Sequence, residues 1–258
     1  MAKKSSKVFL FSVAVLAGVG VLLCALFLFH GGASAPTPQS TTKQSTMAQP
    51  KDSFHKQRFS LEDPTSQWVV VNKVRPLNPS AYSPTDLVEP NVPQRVPGNE
   101  SMRLRTETAK AVEVMFAAAK ADQTPLMLSS GFRSYSFQTG LYNGYVTKSG
   151  QAAADTYSAR PGYSEHQTGL AFDVEPLDQQ CDVDECFADL PAGKWVAAHA
   201  HEYGFILRYP ANKTAVTGYK YEPWHLRYVG TELAAEMKAK NITTLEEFFD
   251  LPAAPDYR

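Results

Sequence analysis

Residues 8–29, VFLFSVAVLAGVGVLLCALFLF, contain no charged side chain. A run of this kind is long enough to cross a hydrocarbon core of about 30 Å as a helix of about 20 residues. Lys3, Lys4 and Lys7 precede it, and basic residues favour the cytoplasmic flank, so the chain after His30 is expected outside the membrane. The small residues Ala33, Ser34 and Ala35 offer a cleavage site as the alternative. Pro36 and the length of the run favour an uncleaved anchor, with a secreted form if cleavage occurs.

An apolar run of this length confines any folded domain to the residues C-terminal to it. Residues 31–50 are rich in Ser, Thr, Gln and Pro with almost no large apolar side chains, too little to offset the entropy of ordering. The expected organisation is a cytoplasmic tip and anchor over 1–30, a flexible tether over 31–64 and an extracellular domain over 65–258. The net charge of -1 argues against a nucleic-acid partner, which needs a concentrated basic face. Of the three cysteines, Cys24 lies in the apolar run, and Cys181 and Cys186 flank a short acidic loop. Outside the cell that spacing is expected to close as a local disulfide, since no further Cys or His lies close enough to complete a structural zinc set.

Along the domain, Val69 to Val71 suggest a short strand, and the prolines between Arg75 and Pro97 an irregular wrap over the surface. The apolar spacing of Met102, Val112, Met115, Phe116 and Ala119 predicts an amphipathic helix with Asn99 as its N-cap. Further along, the pattern predicts a buried strand over Leu126 to Ser129, a helix closed by Gly150, a helix ending at Gly204, a strand from Phe205 to Arg208, a last strand around His225 and a terminal helix. Helices and strands alternate without regular βαβ spacing, which predicts an α+β fold with a small, mostly antiparallel sheet.

Six histidines narrow the chemistry. His30 and His55 precede the domain, and His199 and His201, two apart on a helix, point about 200° apart. His166 and His225 remain, each with acidic company: Asp173 comes after one as His-x6-Asp, and Glu222 precedes the other as Glu-x-x-His. Two histidines and a carboxylate form a zinc set with a position open for water, and a further carboxylate serves as general base.

The segments SEHQTGLAFD and EPWH, with SSGFRSYSFQTGLY upstream, resemble the VanY-type zinc D-alanyl-D-alanine carboxypeptidases over roughly Trp68 to Glu236. The resemblance implies that fold, one Zn2+ per site held by His166, Asp173 and His225, and Glu222 as general base toward the attacking water and the leaving amine. It implies Arg133 as the cation that polarises the scissile carbonyl, a role that suits a fixed charge beside developing negative charge. Ser164 and Gln138 are implied to contact the substrate backbone or its terminal carboxylate. Arg160 is a further candidate for that carboxylate, because guanidinium pairs with it in bidentate fashion. The implied substrates are peptidoglycan stem peptides, cleaved as a D,D-carboxypeptidase or, on the tetrapeptide, as an L,D-carboxypeptidase. A wall-binding module without catalysis is the alternative from another class.

Overall fold

The computed structural model describes residues 54–258. The apolar run 8–29, Cys24, the cleavage alternative and the segment 31–50 lie outside the described residues. Among the described residues no helix is long and apolar enough to cross a membrane.

In chain order the elements are β1 (Leu87–Val88), β2 (Leu104–Arg105), α1 (Thr106–Ala121), β3 (Leu126–Ser130), α2 (Tyr135–Ser149), α3 (Gln151–Ala154), β4 (Ala171–Pro176), α4 (Pro191–His199), β5 (Phe205–Leu207), α5 (Thr214–Thr217), β6 (His225–Tyr228), α6 (Thr231–Ala239) and α7 (Leu245–Phe248). β1 and β2 form a small antiparallel pair, and the central sheet has the order β3-β4-β6-β5 with every neighbour antiparallel. The α+β expectation holds.

Strand β4 is buried along its whole length, so its alternation separates two interiors. Phe172 and Val174 enter the main apolar core with Val112, Met115 and Phe116 of α1 and Phe205 of β5. Burying a side chain the size of Phe172 contributes roughly 1.5–3 kcal/mol. Ala171, Asp173 and Glu175 take the opposite face. In register, Asp173 pairs with His225 of β6 on one side and with Ser130 of β3 on the other. An extra residue between Leu128 and Ser130 shifts the β3 register and brings Ser130 level with Asp173, the kind of re-aiming that bulges provide.

Several local expectations change under tertiary contacts. The helix expected from Asn99 begins instead at Thr106. Asn99 caps only a 3-10 turn, Glu100–Met102, by accepting from the Ser101 amide. Leu104 and Arg105 are drawn into pairing with β1, and the Arg103 carbonyl accepts from the Phe132 amide at 2.8 Å. Val69 to Val71 are buried but join no sheet. The Val70 amide donates to the Leu61 carbonyl and the Val69 carbonyl accepts from the Arg227 guanidinium, so side chains and loops satisfy this backbone. The folded residues also begin before the boundary expected at 65, because Phe54 stacks on Trp68 with ring centroids 5.4 Å apart and meets Phe248 at 5.5 Å.

Other expectations stand. Gly150 and Gly204 close their elements at φ 79° and 85°, Cys181 and Cys186 are disulfide-bonded, and the proline-rich wrap covers the free edge of β3 through the Leu128 amide and carbonyl.

Candidate active site

The sheet register creates the site. Asp173 sits between two imidazoles, with its Oδ1 3.2 Å from His225 Nδ1 and 3.4 Å from His166 Nε2. His166 comes from the 3-10 turn Glu165–Thr168, which ends at Gly169 with φ 66°. A Cβ there would lie 2.9 Å from Arg105 Cγ and Leu87 Cδ2, so the turn that delivers His166 to β4 requires glycine. One ligand atom from each of the three residues lies within 4.8 Å of the others, and all three side chains are buried.

The far atoms of His166 and Asp173 are occupied. His166 Nδ1 lies 2.6 Å from the Gly131 carbonyl, which accepts its proton and leaves Nε2 as a lone-pair donor. Asp173 Oδ2 accepts from Ser130 Oγ and Arg133 Nη2, both at 2.6 Å. Its Oδ1 is buried with no hydrogen-bond partner. An orphaned carboxylate oxygen between two inward nitrogens fits a divalent cation, and two imidazoles with one carboxylate suit zinc with an open position.

Glu222 and Arg133 complete the group. Glu222 Oε2 is 3.7 Å from His225 Nδ1. Burial pushes its carboxyl up to about 8; the nearby His225 lowers it and the Asp173 charge raises it. For His166, burial lowers the pKa to about 4, aided by the Arg133 charge. Burial also works against charge on His225, but the adjacent carboxylates of Asp173 and Glu165, together with the charge of Glu222, outweigh it and raise the imidazole to about 9. Burial disfavours the Asp173 carboxylate, yet His166 and Arg133 hold it well below the usual range. Two carboxylates beside the same His225 nitrogen are thus driven in opposite directions, which is how acid and base roles separate.

A cavity of about 310 Å³ opens over the triad, lined also by Gln138, Ser164, Tyr209 and Trp224, with Val183 and Glu185 from the disulfide-closed loop on its wall. Gln138 is buried, not exposed on its helix; its Nε2 donates to the Ala159 carbonyl at 2.7 Å, leaving Oε1 without a partner. Arg160 is not among the cavity-lining residues. Its guanidinium pairs with Asp155 through Nε at 3.1 Å and Nη2 at 2.8 Å and stacks 4.1 Å over the Tyr257 ring. The structure therefore turns the Arg160 guanidinium to Asp155 and Tyr257 and not to the cavity. His199 is surface-exposed beside Glu202.

Sequence reasoning missed Glu165, which is fully buried beside His225, between Arg208 and Arg227. Burial opposes its charge, and the two guanidiniums hold its carboxyl well below the usual range. Adjacency to His166 was its only signal in the sequence.

Residues 101–231 match the family model described as D-alanyl-D-alanine carboxypeptidase, VanY. The chain belongs to the VanY family. A Bacillus subtilis relative that carries the name carboxypeptidase is 42% identical over 192 residues, 74% of this chain and 70% of its own length. Among solved structures, the LdcB LD-carboxypeptidase, described for its peptidoglycan recognition, is 41% identical with a TM-score of 0.68, covering 72% of this chain and 87% of that one. A vancomycin-resistance D,D-pentapeptidase VanY in complex with Zn(II) is 29% identical with a TM-score of 0.58, covering 70% of this chain and 97% of that one. The VanY family is one of carboxypeptidases, and the metal of that neighbour agrees with the donor set around Asp173.

Proposed function

We propose that this protein is a zinc-dependent carboxypeptidase that removes the C-terminal D-Ala from peptidoglycan stem peptides. The observation that carries the reading is the orphaned Asp173 Oδ1 between His166 Nε2 and His225 Nδ1, on the wall of a cavity that also holds Glu222 and Arg133. His166, Asp173 and His225 hold the metal. When bound, zinc supplies Lewis-acid activation of the attacking water and of the scissile carbonyl.

The chain's own groups do the rest. Glu222 takes the proton of the attacking water and returns it to the leaving amine of D-Ala; a carboxyl tuned by burial toward neutral pH suits both transfers. Arg133, held by Ser130 and Asp173, presents its remaining N–H groups to the negative charge that develops on the carbonyl oxygen. The unpartnered Gln138 Oε1 is an acceptor, which suits a backbone N–H of the stem peptide better than its carboxylate. Ser164, buried on the cavity wall, offers a hydroxyl to the same end of the substrate.

The LdcB likeness supports a second specificity, removal of D-Ala from the tetrapeptide as an L,D-carboxypeptidase. The uncharged run 8–29 and its flanking lysines support placement outside the cell, tethered to the membrane through that run. The test is to incubate the zinc-loaded chain with stem pentapeptide and with tetrapeptide and measure free D-Ala. Release from one alone assigns the specificity, and no release from either, with zinc bound, overturns the proposal.

A further inference from the structure

His225 turns Nδ1 toward Asp173 Oδ1 at 3.2 Å, so its proton must reside on Nε2 whenever Nδ1 donates a lone pair. That Nε2 is buried without a hydrogen-bond partner. The group it faces is Glu165 Oε2, 3.6 Å away, which is also buried without a partner. Two orphaned atoms of complementary chemistry therefore point at one another. Their separation is longer than an ordinary N–H···O bond.

Glu165 itself is held rigidly. Its Oε1 accepts from Arg208 Nε at 2.8 Å and Arg227 Nη1 at 2.9 Å. Arg208 is gripped in turn by both oxygens of Glu246, at 3.0 and 2.7 Å, and Glu246 accepts from Asn72 at 2.8 Å. Arg227 is tied to the Gln67 and Val69 carbonyls. The two arginines occupy one oxygen of Glu165 and leave the other for the imidazole. His166 has the equivalent support from the Gly131 carbonyl.

We infer that Glu165 is a positioning residue for His225, fixing its ring and tautomer so that Nδ1 faces the metal, with Arg208 and Arg227 holding Glu165 in place. The inference rests on reading His166, Asp173 and His225 as the zinc ligands. Such carboxylate partners of ligand histidines support metal affinity by about 10–100-fold.

The test compares Glu165→Gln, Glu165→Asp and Glu246→Gln in the intact chain. Glu246 shares Arg208 with Glu165 but does not face His225, so Glu246→Gln disturbs the same buried charge cluster without touching the ligand. Zinc affinity of the metal-free protein is measured by chelator competition, and the visible spectrum is recorded with Co2+ in place of zinc. The expected result is a loss of affinity of about 10–100-fold and an altered cobalt spectrum for Glu165→Gln, with Glu246→Gln near wild type in both. If Glu165→Gln does not fold, Glu165→Asp keeps the charge for the arginines while withdrawing it from His225, and the same loss is expected. Wild-type affinity and spectrum in the folded Glu165 variant, or an equal loss in Glu246→Gln, overturns the inference. Failure of the wild-type chain to bind zinc would instead overturn the reading of the ligand set.

Discussion

Asp173 of β4 lies directly opposite His225 of β6 in the antiparallel register, and the pairing holds Asp173 Oδ1 3.2 Å from His225 Nδ1. Two residues far apart in the chain become a half-site through strand pairing alone, since a slip of one residue would turn one of them to the opposite face. The consequences can be measured.

Replacing Glu222 with alanine is expected to lower kcat by about 10²–10⁴-fold while zinc content stays at one per chain. Elemental analysis beside the D-Ala assay separates the two effects. Loss of zinc together with activity would make Glu222 a ligand and not the base.

Zinc binding at pH 7 is expected to release on the order of one proton. In the metal-free protein His225, raised to about 9, is protonated at that pH and Glu222, raised to about 8, can contribute a further proton, whereas His166, lowered to about 4, is already neutral. Affinity therefore falls as pH drops below about 9, and lowering pH toward 5 adds no further proton from His166. Titration calorimetry in two buffers of different ionisation enthalpy reads the proton count; identical heats in both would refute the assignment.

Arg160→Ala is expected to raise KM a few-fold and leave kcat within about twofold, because Arg160 touches Asp155 and Tyr257 and is absent from the cavity wall. The pair is partly exposed, so stability should fall by no more than about 1 kcal/mol. Discrimination between a free C-terminal carboxylate and its amide should be unchanged. Collapse of that discrimination would restore Arg160 as the carboxylate anchor.

Gly131→Ala places a Cβ 2.6 Å from the Arg103 carbonyl, a contact that forces the backbone to move. A loss of about 1–3 kcal/mol in denaturant unfolding is expected. Because the Gly131 carbonyl is the partner of His166 Nδ1, zinc affinity should fall with it. Unchanged affinity in a destabilised variant would show that the His166 tautomer is set elsewhere.

The cluster of His166, Asp173 and His225 that could hold a metal was legible in the sequence because its chemistry is local: His166 and Asp173 lie in one short motif, and His225 in another with Glu222. The ends of α2 and the 3-10 turn before β5 were legible for the same reason, since a glycine at positive φ is a property of the residue itself. The surroundings of Arg160 and Glu165 emerged only in the fold. What each guanidinium or carboxylate does is fixed by its partners, and those of Glu165 lie 43 and 62 residues away along the chain. The same holds for Val69 to Val71 and for the start of α1, where β propensity and helix periodicity gave way to backbone groups claimed by distant segments. Local pattern and residue chemistry, both properties of the sequence, thus determined which groups could form a metal site. Long-range register and buried ion pairing, which exist only when the chain is closed on itself, decided which groups aim at the metal and which hold the aim.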